Sequence, residues 1–289
     1  MNILAVIHDE IIRILFEKKY IPLLKDIQFE FQDLEKIDHE RIKAGKYDLI
    51  ICDLDDSFEQ VIHLYNAYRD QTLFLFITDW EYTRYLELLK ENKISNIYPK
   101  GLLLEDYLTS VKLLGNLCQR NIFGIQNYTD NPLHIDNLLV HFSGEIRNLS
   151  FQLGTFFPGL SKEKTMKLKL AFSEIASNAF FHSHGIEKGK DKSIKEPILI
   201  SFAEDEEKLL FSVSDRQGTL TKDTVLFWIL KRFQEDEDLP LDHGRGFFLM
   251  KNIIDNLIIN IKQNESTEFI AIFYKSEYMG EKSLIIHQL

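Results

Sequence analysis

The sequence predicts two α/β domains: an N-terminal doubly wound parallel sheet, then a C-terminal α/β sandwich with helices on one face of a mixed sheet. Three observations carry this. Residues 1–120 alternate short apolar runs with helical patterns. The second half places helical stretches ahead of two hairpin patterns. At 289 residues the chain is longer than one ordinary core holds. The spans expected are 1–120 and 135–289, joined by a linker at 121–134 where Gly, Pro and Asn follow no clear period.

In chain order, "ILAVI" (3–7) is a short apolar strand that ends at His8, Asp9 and Glu10. "EIIRILFEKKYIPLL" puts Ile11, Ile14 and Leu15 on one helical face. "IQFEFQDL" (27–34) alternates like a half-buried strand, and "ERIKAGKYD" reads as a short helix and turn. "YDLIICDLDD" (47–56) and "QTLFLFITD" (71–79) are buried strands ending on acids, and "SNIYPKG" (95–101) is a shorter one before a helix from about Leu103 to Cys118. Uninterrupted apolar strands imply a parallel sheet covered on both faces, with reactive groups at the carboxyl ends of the strands. In the second half, residues 135–156 read as an amphipathic helix, and 161–185 as a long helix opened by Ser161 and stopped at Gly185. Residues 197–215 form two strands around an acidic turn, 216–243 a long polar connection, 244–257 a Gly-rich turn feeding a helix, and 257–275 a second hairpin.

Composition narrows the function. Lys and Arg total 34 against 45 Asp and Glu, a net charge of −11, so the chain lacks the cation excess that tracks nucleic-acid phosphates. With 45% hydrophobic residues and 22 Phe it builds real cores. Apolar stretches such as "LFLFI" are too short to cross a bilayer. The opening "MNILAVIHDE" has no basic start, and Cys52 and Cys118 make no disulfide framework. A cytoplasmic protein is expected.

Three segments of the second half carry chemistry. Glu174, Asn178 and His182 stand at i, i+4 and i+8, one stripe of the 161–185 helix. An Asn carbonyl is a hard oxygen ligand suited to Mg²⁺, and a carboxylate one turn away can polarise a hydroxyl; a solvated helix face has the same pattern. Asp215 ends a buried strand and needs a partner, for which the exocyclic amine of adenine is a suitable donor, with Gly218 letting backbone approach the base. Gly244 and Gly246 precede a helix N-terminus, which favours phosphate.

Taken together, "LAFSEIASNAFFHSHG", "SVSDRQG" and "HGRGFFLMKNIID" resemble the N box and the two glycine boxes of the GHKL (Bergerat-fold) ATPases, and most closely the anti-sigma-factor serine kinases. The resemblance spans about 135–275. It implies that Asn178 ligates Mg²⁺, Glu174 acts as base and Asp215 binds adenine. Gly218, Gly244, Arg245, Gly246 and His182 would complete the ATP site, and 216–243 would form the ATP lid. Two places depart from the family: Gln217 stands where a Gly usually follows the Asp by two, and Phe247–Phe248 replace a further Gly. "FSGEIRNL" (142–149) also resembles the H-box of sensor histidine kinases, but Gly144 holds the phosphoacceptor position and His141 lies three residues earlier.

The first half resembles a response-regulator receiver. Asp53 matches the phosphoacceptor, Thr78 the hydroxyl position and Lys100 the lysine, although Pro99 here precedes the lysine instead of following it. A carboxylate nucleophile needs Mg²⁺ and a cation against the incoming phosphoryl group. In register, the receiver's acidic pair falls on Ile7 and His8, so Mg²⁺ at Asp53 and Asp9 requires a one-residue slip; without it the domain is a pseudo-receiver.

The resemblances together imply a receiver-like domain that regulates an ATP- and Mg²⁺-dependent serine/threonine kinase. Its partner would be an anti-anti-sigma (STAS-type) protein or a sigma factor, with no contact to DNA or membrane, and a homodimer stays open. A partner-switching adaptor with a degenerate nucleotide site, and a soluble histidine kinase with a degenerate H-box, are the alternatives.

Overall fold

The apolar runs of the first half become five parallel strands. A computed structural model describes residues 1–55, 57–79, 94–105, 107–187, 192–227, 246, 250, 252–277 and 282–289. Its chain divides into two compact units, Met1–Ile122 and Phe123–Leu289.

In the first unit β1 (Asn2–Val6), β2 (Gln28–Phe31), β3 (Leu49–Asp53), β4 (Leu73–Thr78) and β5 (Ile97–Pro99) lie in the order β2-β1-β3-β4-β5, all parallel. That is the flavodoxin-like doubly wound order. β3 is buried at every residue, as a strand covered on both faces must be. Helix α1 (Glu10–Leu15) is opened by Asp9, whose side chain accepts the amides of Ile11 and Ile12. The continuous helix expected through residue 24 instead widens to a π-turn at Phe16–Tyr20 and tightens to a 3₁₀ turn at Ile21–Leu23. Pro22 is the cause: it lacks an N–H and its ring opposes the carbonyl four residues back. Helices α2 (His39–Lys43), α3 (Phe58–Tyr68), α4 (Lys100–Glu105) and α5 (Tyr107–Cys118) complete the unit.

The second unit is a six-stranded sheet, β6 (His134–Phe142), β7 (Ser193–Glu204), β8 (Lys208–Asp215), β9 (Asn256–Lys262), β10 (Ser266–Tyr274) and β11 (Ser283–Gln288). Its order is β11-β9-β10-β8-β7-β6, antiparallel except for β11 beside β9. Helix α6 (Ser143–Phe156) packs on β6 and on α7 (Lys162–Ser183), and α7 packs across β7, β8 and β10. An aromatic chain joins helices to sheet: Phe156 and Phe202 at 4.6 Å, Phe172 and Phe202 at 5.5 Å, Phe172 and Phe211 at 5.6 Å.

One expected helix is half strand. Residues 134–142 pair with β7 as the sheet edge, and only 143–156 are helical. Ile135, Leu138, Leu139 and Phe142 have helical spacing, but cross-strand pairing prevails, with Leu139 opposite Leu199. Glu145 then accepts the amides of His141 and Phe142 at 2.8 Å each, so the acid of the H-box-like segment caps α6 and His141 sits on a strand.

The segment expected as a linker packs into the second unit from Phe123 onward. The amide of Gly124 (φ 99°) donates to Glu268 at 2.8 Å, and Asn260 donates to the Tyr128 hydroxyl at 3.0 Å. Asn260 also meets His287 Nδ1 at 2.9 Å, which leaves this imidazole fully buried. Burial lowers the His287 pKa to about 3.

Candidate functional site

The long helix presents its polar stripe beside a buried one. Ser161 caps α7, accepting the Lys164 amide at 3.2 Å, and Ala171, Phe172, Ile175, Ala176, Ala179 and Phe180 face the sheet. Glu174 and Asn178 lie at the margin of that face, half-buried, and Asn178 Nδ2 donates to Glu174 Oε1 at 3.1 Å. His182 is exposed one turn further on. The donated amide nitrogen orients Asn178 so that its carbonyl oxygen is the atom away from Glu174.

Gly246 comes to the same place. A Cβ built on it would run into the Glu174 carboxylate, so a larger residue here would push that side chain aside. The structure thus places Gly246 of the second glycine segment beside the acid of the helix. Gly244, Arg245 and Phe247–Phe248 lie outside the described residues, as do 228–243 of the expected lid; of that connection, 222–227 are helical.

Asp215 closes β8, under α7, and is 4% exposed. Its Oδ1 accepts the amides of Gln217 at 2.9 Å and Gly218 at 3.0 Å. Among the described residues none donates to Oδ2. Burial raises the carboxyl pKa above the usual range, partly offset by the two amides and by His184. A buried carboxylate with one oxygen held by backbone and the other without a donor is suited to an N–H of a ligand.

Gly218 has a different employment from the one its position suggests. At φ 55° it sits on the β9–β10 turn, where a Cβ would lie 2.5 Å from the Glu265 amide and 2.7 Å from the Lys262 carbonyl. The close approach it permits is to this hairpin, which Asn264 seals by donating to Gly218 O at 3.0 Å. Gln217 reaches sideways, its Nε2 2.6 Å from Glu196. His184 was not singled out by sequence, yet it ties the end of α7 to β7: Nδ1 meets Phe180 O at 3.1 Å and Nε2 meets Glu196 O at 3.0 Å. The dipeptide His184–Gly185 at a helix end was the only signal for it.

A cavity of about 340 Å³ lined by Phe157, Leu160, Lys164, Glu204 and Lys275 lies by the start of α7. Lys164 is fourteen residues, roughly 21 Å of helix, from Asn178. It is therefore separate from the Glu174–Asn178 stripe.

The first unit gathers its candidate residues at the carboxyl ends of β1, β3, β4 and β5. Lys100, 3% exposed, places Nζ 2.8 Å from Asp53 Oδ2 and 2.7 Å from Asp55 Oδ2, with Asp79 at 3.6 Å and Asp9 at 3.9 Å. The Thr78 hydroxyl donates to Asp55 Oδ1 at 2.7 Å. Burial raises the Asp53 pKa, against the pull of Lys100. Burial alone would lower the Lys100 pKa, but its bonds to Asp53 and Asp55 outweigh that and raise it. Asp9, expected as a metal ligand with Asp53, has Oδ1 taken up by the cap of α1. Among the described residues no group of three or more His, Cys, Asp or Glu is arranged to hold a metal ion. Nor is any helix among them long and apolar enough to cross a membrane.

Residues 152–272 match the family model of the histidine kinase-like ATPase domain. The match runs from within α6 to β10 and includes Glu174, Asn178, Asp215 and Gly246. No curated protein matches the chain.

Proposed function

We propose that the second unit binds ATP with Mg²⁺ and transfers the γ-phosphoryl group to a Ser or Thr hydroxyl of a protein partner, under control of a receiver-like first unit. The observation that carries the nucleotide part is Asp215, a buried carboxylate whose Oδ2 lacks a donor at the end of a strand under α7. Adenine's exocyclic amine supplies that donor. Gly246 lies against Glu174, and the backbone of its glycine segment, with Gly244 and Arg245, would hold phosphate. The Asn178 carbonyl oxygen is the hard ligand for Mg²⁺, which when bound neutralises phosphate charge. Glu174 takes the proton as the partner's hydroxyl oxygen attacks the γ-phosphorus, the bond to the bridging oxygen breaks, and ADP leaves. His182, exposed on the same stripe, is given no chemical step.

The partner is of anti-anti-sigma (STAS) type, or a sigma factor competing with it. An acidic chain reaches transcription through such proteins and not through DNA. In the first unit, Asp53 is the phosphoacceptor, Lys100 its counter-cation and Thr78 the hydroxyl beside it.

One observation favours a second reading, a partner-switching adaptor without turnover. Gly218 is engaged by the β9–β10 turn and Gln217 by Glu196, so the first glycine box is turned toward the protein itself. Titration with Mg·ATP separates the two. The kinase reading expects saturable heat that Asn178→Ala removes; heat unchanged in that variant contradicts the site assignment, and no heat in the wild type favours the adaptor.

A further inference from the structure

The carboxylate of Asp55 is held by three donors from different parts of the first unit. Lys100 Nζ, at the start of α4, lies 2.7 Å from Oδ2. The Thr78 hydroxyl, at the end of β4, donates to Oδ1 at 2.7 Å. The Asp79 amide, just beyond β4, donates to Oδ2 at 2.8 Å. An ammonium, a hydroxyl and a backbone N–H converging on one point make an anion site. The chain folds Asp55 into it from the side: its own amide donates to Asp53 Oδ1 at 3.0 Å, turning the residue back over the end of β3.

An ordinary buried ion pair would not need this set. Asp53, fully buried, already gives Lys100 a carboxylate at 2.8 Å. The hydroxyl and the amide N–H carry no charge to be compensated, yet both turn to Asp55. The donors are arranged for an anion beside Asp53, and the anion present is a side chain.

We propose that Asp55 is the built-in occupant of a phosphoryl-sized anion site next to Asp53, so that the first unit is self-liganded and Asp53 takes no phosphoryl group until Asp55 leaves. An incoming phosphoryl group would meet two carboxylates and find the ammonium, hydroxyl and amide already engaged. The anion site stands on geometry alone; only the phosphoryl part rests on the reading of Asp53 as phosphoacceptor. With acetyl phosphate as donor and Mg²⁺ supplied, an Asp53 oxygen attacks phosphorus, the bond to the acetyl oxygen breaks with its electron pair, and acetate leaves.

Two readouts on the full chain test this. In Asp55→Ala the vacated donors should accept formate. The variant melts below the wild type, formate raises its melting temperature saturably, and neither the wild type nor Asp55→Ala combined with Thr78→Val responds. Wild-type melting in Asp55→Ala, or equal formate effects on both proteins, overturns the anion site. In the second readout, acetyl phosphate with Mg²⁺ should add one phosphoryl mass at Asp53 in Asp55→Ala, at least tenfold more than in wild type. Equal gain in the two proteins overturns the blocking role. Formate rescue with no mass gain keeps the anion site and overturns the phosphoryl assignment. If Asp55→Ala does not fold, Asp55→Asn serves. It keeps one acceptor oxygen, for Thr78 or for the Asp79 amide, drops the charge facing Lys100, and should also exceed wild type in mass gain; its failure to do so overturns the block.

Discussion

The two candidate sites handle buried charge in opposite ways. In the first unit, Lys100 answers Asp53 and Asp55, while Thr78 and the Asp79 amide complete Asp55. Asp55 is hydrogen-bonded through both oxygens within the chain, while Asp53 Oδ2 meets Lys100 as an ion pair only. In the second unit, Asp215 is as buried, yet one oxygen has no donor among the described residues, and Gly246 brings backbone against Glu174. Removing one partner from a cluster closed on itself is costly, whereas an open acceptor can take a donor from a ligand. On the proposed reading, the difference separates an element that holds its state from one that waits for a molecule.

The largest expected effect tests the closed half. Lys100→Met leaves two carboxylates without their cation in a nearly buried site and should destabilise the first unit by about 3–5 kcal/mol, read by urea unfolding. A loss under about 1 kcal/mol would mean the cluster is no more than a surface pair. Next comes the open half. Gly246→Ala drives a methyl into the Glu174 carboxylate and should weaken Mg·ATP by roughly 10- to 100-fold, a few kcal/mol at most, in calorimetry. Undiminished affinity would show that this close approach is not part of the nucleotide site.

The third effect concerns pH. His287 is neutral and buried with a pKa of about 3, against an ordinary value near 6.5, so the unfolded chain binds its proton first. Its contribution is whole above pH 6.5 and falls as pH drops toward 3, roughly tenfold in the folding constant per pH unit. Glu268 acts with the opposite sign, because burial raises its pKa and its cost grows as pH rises through that value. The test is therefore the difference between wild type and His287→Gln, whose stability should lack the His287 slope between pH 6 and 4. Parallel curves would contradict the buried neutral imidazole. The smallest effect is Gln217→Gly, which removes the bond to Glu196 and restores the family's glycine spacing. Mg·ATP affinity should rise by less than about tenfold, on the order of 1 kcal/mol. No change would mean Gln217 does not limit the site.

Much of this was legible in the sequence where the cause is local. Uninterrupted apolar runs gave the parallel strands β1, β3 and β4, and the i, i+4, i+8 spacing put Glu174, Asn178 and His182 on one stripe. What could not be read depends on distant chain. Residues 134–142 carry helical spacing, and only pairing with β7, more than fifty residues on, makes them a strand. The polar segment after residue 122 looks like a tether until Glu268 and Asn260 are seen to hold it. The place of Asp55 among the acids that end β3 shows nothing of its role, because Thr78, Asp79 and Lys100 reach it from the end of β4 and from α4. Gly218 was legible as a position needing glycine, but the neighbour that demands it is the β9–β10 turn.

The central claim is that Asp215 is a ligand group and not a structural one, and Asp215→Asn tests it most directly. Asn keeps an acceptor oxygen for Gln217 and Gly218 and removes a carboxylate whose pKa burial has raised, so its cost at neutral pH is relieved. Titrating Mg·ATP into wild type and variant, with melting temperatures measured alongside, should give saturable one-site heat in the wild type. The variant should melt no lower than wild type and bind at least 100-fold more weakly. Equal affinity in the two proteins, or lost binding accompanied by a collapse in melting temperature, would contradict the assignment.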